Sequence, residues 1–146
     1  VLENAESLKV DLSAVEHVFR SHNHLDHTGG LIRFRETLMS INPKAMQYVH
    51  VGKGIFLERV SDGKNWNTFM GYKEKLLSLG VEFINHESPG EILPNICTTG
   101  LVPRYHNEKN WLGFREMKIN GESFLRYPRV HRGMPKTSKV SLRCNF

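Results

Sequence analysis

Three histidines and one aspartate stand within six residues of the chain, at His22, His24, Asp26 and His27. Side chains along an extended segment alternate in direction, so His22 and His24 can point the same way and share one metal ion. Asp26 and His27 follow on a turn, where they can face a second ion beside the first. Imidazole nitrogen together with carboxylate oxygen suits zinc, and also iron or manganese. The spacing therefore predicts a site for divalent cations.

The histidines outside this cluster need no metal to explain them. Isolated histidines are mostly surface residues or hydrogen-bonded core residues, and we interpret His17, His50, His86 and His131 in that way. The cluster differs from them in its density and in the glycine pair, Gly29-Gly30, that follows it and lets the backbone turn sharply.

Strand and helix patterns alternate around the cluster. Branched and aromatic runs predict strands, and apolar residues spaced by three and four predict helices. In chain order we predict a helix or helical turn over 2–12, a strand over 15–20, a turn at 28–30, a helix over 31–39, a strand over 45–51, a loop over 52–67, a helix over 69–79 closed by Gly80, a strand over 81–84, a strand around 92–98, and a hairpin over 111–124 that turns at Asn120-Gly121. The alternation predicts an α/β layered domain.

Length and composition favour one domain and a soluble protein. The chain has 146 residues, of which 39% are hydrophobic, enough for a single core. No apolar run approaches the roughly 20 residues that cross a bilayer, and the first residues do not resemble a secretory signal, so we expect no membrane contact. Cys97 and Cys144 are too few and too far apart for a disulfide scaffold or a thiolate zinc site, which favours the cytoplasm.

Positive charge is concentrated at the end of the chain. Of 20 Lys and Arg residues, six lie in residues 126–146, which contain no Asp or Glu, so residues 1–125 hold 14 basic and 15 acidic side chains. We predict a domain over 1–125 and an irregular or disordered basic tail over 126–146. The tail could attract polyanions, but it lacks regular spacing and aromatic interleaving, so nucleic-acid binding is not expected.

Residues 21–31, Ser-His-Asn-His-Leu-Asp-His-Thr-Gly-Gly-Leu, resemble the His-x-His-x-Asp-His signature of the metallo-β-lactamase superfamily. Two flanking segments, Asp11-Leu12-Ser13 and the run from Thr98 to Arg104, are similar to the branch of metal-dependent hydrolases that includes the synthase-like proteins of methanopterin biosynthesis. The resemblance extends over residues 1–124.

This resemblance implies a site and a reaction. His22 and His24 would bind a first zinc ion, Asp26 and His27 a second, and Asp26 would also orient the bridging water as a catalytic residue. Two cations roughly 3.5–4 Å apart lower the pKa of a shared water and polarise the scissile group. The implied activity is hydrolysis of an ester, amide, thioester or phosphoester bond in a small-molecule substrate, with the substrate and the oligomeric state left open.

The chain also departs from the pattern of that superfamily, which adds later histidine and aspartate ligands and opens with a strand pair. Neither part is visible, so the resemblance covers roughly the first half of an αββα sandwich, and we expect weak metal binding and poor turnover. Arg104 and His106 are candidate substrate-binding residues on a loop. The alternatives are an inactive fragment and a non-catalytic module that binds metal or polyanions.

Overall fold

The computed structural model describes residues 2–100, 116–119, 122–125 and 142–144. It has a mixed α/β architecture, which confirms the predicted class. In chain order the elements are α1 (Leu2–Ser7), β1 (His17–Arg20), α2 (Leu25–Thr28), α3 (Leu31–Leu38), β2 (Tyr48–Gly52), β3 (Glu58–Ser61), β4 (Lys64–Asn65), α4 (Thr68–Ser78), β5 (Glu82–His86), β6 (Gly90–Leu93), β7 (Ile96–Thr98), β8 (Glu116–Ile119), β9 (Glu122–Leu125) and β10 (Leu142–Cys144).

A parallel three-stranded sheet, in the order β1-β2-β5, carries the core. The helices α3 and α4 pack on one of its faces because their apolar stripes meet the alternate residues of the strands that point that way. The buried core consists of Leu31, Leu38, Ala45, Met46, Val49, Val51, Ile55, Phe69, Leu76 and Val81. The central strand β2 is buried on both faces, with Val49 and Val51 in the apolar core and the polar His50 on the opposite face.

The end of α4 is closed as its sequence predicts. Gly80 has a φ of 75°, and its N–H donates to the carbonyl of Leu77 at 2.9 Å. The N–H of Val81 donates to the carbonyl of Leu76 at 3.0 Å. This pair of bonds is a Schellman motif, which satisfies the last carbonyls of the helix and turns the chain directly into β5.

Arg35 ties three parts of the core together. Its side chain is 3% exposed, and it donates to the carbonyls of Leu79 at 3.0 Å, Pro43 at 2.7 Å and Ala45 at 2.5 Å. Burial lowers the pKa of Arg35. Leu79 caps the carboxyl end of α4, where the helix dipole is negative, so the charge is stabilised by carbonyl dipoles.

Residues 52–67, which we predicted to be a loop, contain the hairpin β3–β4, so that prediction was wrong. Asp62 and Gly63 form its two-residue turn with φ values of 52° and 73°. Two positive φ angles are typical of a type I′ turn, and Asp-Gly is one of its strongest sequence signals. The hairpin continues through β3 into an antiparallel sheet in the order β4-β3-β8-β9.

The remaining strands correct two further predictions. The single strand expected around 92–98 is a hairpin of β6 and β7, with Asn95 at a φ of 65°. Leu142–Cys144, in the tail that we expected to be irregular, pairs with β7 as an antiparallel strand. The pairing of the predicted hairpin is confirmed, because Ile119 pairs with Glu122. Asn120, Gly121 and residues 111–115 lie outside the described residues. Among the described residues, no helix is long and apolar enough to cross a membrane.

Candidate metal centre

The histidine cluster begins where β1 ends and runs into the short helix α2. His24 is the N-cap of α2 and has extended backbone angles, φ −67° and ψ 147°, so the chain changes direction between His24 and Asp26. Thr28 is fully buried, and its hydroxyl donates to the carbonyl of His24 at 3.0 Å. This bond fixes the backbone of His24 to the last residue of α2.

The glycine pair after the cluster acts differently from our prediction of a sharp turn. Gly29 and Gly30 both have right-handed helical angles, with φ values of −63° and −86°. A Cβ on Gly29 would lie 3.0 Å from the carbonyl oxygen of Leu25. Gly29 therefore provides close approach of the backbone rather than a left-handed conformation.

The structure brings the three imidazoles of the cluster together. The ring centroids of His22 and His24 are 4.6 Å apart with planes at 88°, and those of His22 and His27 are 4.2 Å apart at 56°. Asp26 lies beside His27, with 3.4 Å between its Oδ2 and the Nε2 of the ring. All four predicted ligands thus lie in one small region, with His22 between the other two rings.

Ser21 orients the central ring of the cluster. Its hydroxyl oxygen is 2.9 Å from His22 Nδ1. When Nδ1–H donates to this oxygen, the lone pair of the neutral ring is on Nε2, the nitrogen that can bind a cation. Metal-binding histidines commonly have such a partner on the second nitrogen, which sets the tautomer.

The donor types fit a zinc ion, but they do not form a closed cage. Two imidazoles on one tetrahedral zinc, with Zn–N of about 2.0–2.1 Å, have ring centroids about 5 Å apart, slightly more than the separations here. Side chains of His27 and Asp26 are 53% and 76% exposed and can rotate. Within residues 2–100 and the three described strands beyond them, no three His, Cys, Asp or Glu side chains are already arranged to hold one ion.

Arg20, the last residue of β1, is a feature of this region that our sequence reasoning missed. Its Nε and Nη2 atoms are buried and have no hydrogen-bond partner among the described residues. The guanidinium carbon lies 5.9 Å from the ring centroid of Phe69, and burial lowers the pKa of Arg20. A guanidinium with two buried nitrogens that lack a hydrogen-bond partner is costly, so this position next to Ser21 favours an anion. The signal in the sequence was an arginine at the end of the predicted strand, directly after Val18 and Phe19.

The candidate substrate residues Arg104 and His106 lie outside the described residues, so their roles stay predictions. One open groove, of about 750 Å³, is lined by residues of β2, of the segment 54–57, of α4 and of β5. It is mostly apolar, and its polar side chains are Lys73, Glu82 and Asn85. None of the four predicted metal ligands lines this groove.

A second group of histidines crosses the parallel sheet. His50 is 2% exposed, and its Nε2 lies 2.9 Å from His17 Nδ1 while its Nδ1 lies 2.8 Å from His86 Nε2. Burial, followed by the charges of His86 and His17, lowers the pKa of His50 to about 4. Burial also lowers the pKa of His86. These contacts confirm the interpretation of His50 as a hydrogen-bonded core residue.

Comparison of the chain with protein-family models and with curated proteins finds no match.

Proposed function

We propose that this chain is a metal-dependent hydrolase whose candidate metal centre is formed by His22, His24, Asp26 and His27. The observation that carries the proposal is the convergence of three imidazole rings, with centroids 4.2 to 4.6 Å apart, at the carboxyl end of β1. In open α/β sheets, ligands bind outside the carboxyl ends of the parallel strands. Three imidazoles and a carboxylate at that edge are typical of a cation site.

The residues of the cluster have distinct parts in this proposal. His22 and His24 would hold one cation, and Asp26 with His27 would hold a second. A bound divalent cation supplies a hydroxide at neutral pH by lowering the pKa of water. The carboxylate of Asp26, which is 76% exposed, can accept a hydrogen bond from that water and orient it. Ser21 keeps the ring of His22 in one orientation through its 2.9 Å contact.

Arg20 favours substrates with an anionic group. Arg20 directly precedes Ser21 in the chain, and two of its guanidinium nitrogens have no hydrogen-bond partner among the described residues. A guanidinium binds phosphate or carboxylate oxygens through two parallel hydrogen bonds. A phosphoester or an ester that carries a carboxylate is therefore preferred over a neutral ester. Arg104 and His106 remain candidates for contacts with the rest of the substrate.

The test is a hydrolysis assay on chelator-treated protein to which Zn²⁺, Mn²⁺ or Fe²⁺ is returned. The probes are bis(p-nitrophenyl) phosphate, which is anionic, and p-nitrophenyl acetate, which is neutral. We expect hydrolysis only with metal, and we expect the His22→Ala, His24→Ala double variant to be at least about 100-fold slower. Asn23→Ala is the matched control, because Asn23 lies between the two histidines and is not a predicted ligand.

Two results would contradict the proposal. One is hydrolysis that is equally fast with and without metal. The other is equal activity in the double variant and in Asn23→Ala. A preference for the neutral ester that Arg20→Met leaves unchanged would contradict only the assignment of Arg20.

A further inference from the structure

His17, His50 and His86 form a continuous row of imidazoles across the parallel sheet. Their ring nitrogens are 2.9 and 2.8 Å apart, whereas the ring centroids are 5.2 and 5.1 Å apart with planes at 28° and 18°. Rings that are nearly coplanar and close only at their nitrogens meet edge to edge. Each contact is therefore an N–H···N hydrogen bond, and the middle ring uses one nitrogen for each neighbour.

The distances distinguish this row from a metal site. Two nitrogens bound to one tetrahedral zinc at about 2.0–2.1 Å are about 3.3–3.4 Å apart, longer than either contact here. His50 also directs different nitrogens toward His17 and His86, so the three rings do not share one centre. The geometry is that of a chain of hydrogen bonds.

The row connects the two edges of the sheet. His17 is the first residue of β1, His50 is the third residue of β2, and His86 is the last residue of β5. Because the strands are parallel, the row runs diagonally from the amino edge to the carboxyl edge. His17 and His86 are half-buried, while His50 is 2% exposed. Only the middle of the row is closed to solvent.

The number of protons that this row can hold follows from its bonds. The row can hold at most four protons while both hydrogen bonds stay intact. One proton lies in each of the two hydrogen bonds, and one can lie on the outer nitrogen at each end of the row. Three neutral imidazoles carry three protons, so one end is an acceptor and the other end is a donor. A fourth proton fills the open end and adds one positive charge. A fifth proton would break a hydrogen bond.

We propose that His17, His50 and His86 form a proton relay that carries protons between the amino and carboxyl edges of the parallel sheet. A proton taken up at His17 Nε2 moves the two bonded protons one position along and releases another from His86 Nδ1. No atom other than hydrogen moves, and no net charge is created. Each passage exchanges the tautomers of all three rings, and transfer in the opposite direction restores them.

The burial of His50 disfavours the route on which the middle ring carries a charge. A step that passes through charged His50 is limited by its pKa of about 4, against an ordinary value of 6.5. That gap lowers the population of the charged ring by about 300-fold at pH values above 6.5. Transfer between neutral tautomers avoids the charged ring.

Aromatic rings pack against two members of the row. Phe19 stacks on His50 at 4.5 Å, and Tyr48 stacks on His17 at 5.0 Å. Glu82, on the same face of β5, is exposed. In the described part of the chain no carboxylate is hydrogen-bonded to the row.

The carboxyl edge that the relay reaches is also the edge where the candidate metal centre lies. The strands β1 and β5 are separated by β2, so these two strands are about 10 Å apart. Delivery of protons to the metal centre rests on the proposed function. The exchange of protons among His17, His50 and His86 does not depend on it.

Nitrogen-15 NMR of the full-length protein with labelled histidine tests the relay. We expect scalar coupling between nitrogens across both hydrogen bonds, and similar, intermediate shifts for the two ring nitrogens of His50, because its tautomers exchange. Missing coupling, or the widely separated shifts of one fixed tautomer, would overturn the relay. A row with a purely structural role gives the couplings with a fixed tautomer, so the shifts distinguish the two cases.

Variants provide the control for this measurement. His50→Gln can make hydrogen bonds but cannot pass a proton on, so we expect the rings of His17 and His86 to settle in single tautomers. Tyr48→Phe keeps the ring on His17 and should leave the exchange unchanged. These readouts involve no metal and no substrate. Loss of hydrolysis with intact exchange would therefore reject the proposed function and leave the relay standing.

Discussion

Acidification should destabilise this protein through His50. Burial holds the pKa of His50 at about 4 in the folded chain, against 6.5 for an ordinary histidine. The unfolded chain therefore binds more protons than the folded chain between these two values, and the free energy of unfolding falls as the pH falls through that window. The stabilisation is fully present above pH 6.5. His86, whose pKa is also lowered by burial, acts in the same direction.

The size of this effect follows from the two pKa values of His50. Each pKa unit corresponds to about 1.4 kcal/mol, so the gap between 6.5 and about 4 corresponds to about 3 kcal/mol. Because small domains are stable by only about 5–15 kcal/mol, this is a large share of the total. His50→Gln should be less stable at pH 7, because the buried ring and its two hydrogen bonds are lost, and should show a much weaker decline toward pH 4.

Urea denaturation at several pH values between 4 and 7.5 measures the effect. Carboxylates also titrate near the lower limit, so the decisive quantity is the difference in free energy of unfolding between the wild type and His50→Gln. Tyr48→Phe, which removes a neighbouring hydroxyl but no imidazole, should keep the full pH dependence. Parallel pH profiles for the wild type and His50→Gln would refute the reasoning.

Four further substitutions test the packing by urea denaturation. Arg35→Met should cost about 3 kcal/mol, because three buried carbonyls lose their donor. Gly63→Ala should cost about 1–2 kcal/mol for its positive φ alone, since nothing lies within 4 Å of the added Cβ. Gly100→Ala should cost several times more, because its Cβ would lie 2.4 Å from the backbone of Ser88. Thr28→Val should cost about 1 kcal/mol and weaken zinc binding, because the bond to the cluster backbone is lost.

Much of the central sheet and its helices could be predicted from the sequence, because periodicity and end signals agree there. Gly80 closes α4 at the predicted position, and β1 and α3 lie within a few residues of their predicted limits. The β3–β4 hairpin was missed because residues 58–65 are mostly polar, although the Asp62-Gly63 turn signal was present. Polar strands give little alternation of apolar residues, so turn chemistry is the better guide to them.

The candidate site was predictable in part, for a different reason. The ligand types at His22, His24 and His27 can be read from local spacing, and the structure brings their rings together. The row of His17, His50 and His86 could not be predicted from the sequence. Its members are 33 and 36 residues apart and come together only through the register of the strands. Sequence reasoning finds clusters made by one segment and misses those made by several strands.

The central claim is that the His22-His24-Asp26-His27 cluster binds divalent cations. Isothermal titration of metal-free protein with Zn²⁺, together with the zinc content after dialysis, tests it most directly. The account predicts zinc binding by the wild type and by Asn23→Ala, and binding at least about 100-fold weaker in the His22→Ala, His24→Ala double variant. Equal zinc affinity and content in all three proteins would contradict it.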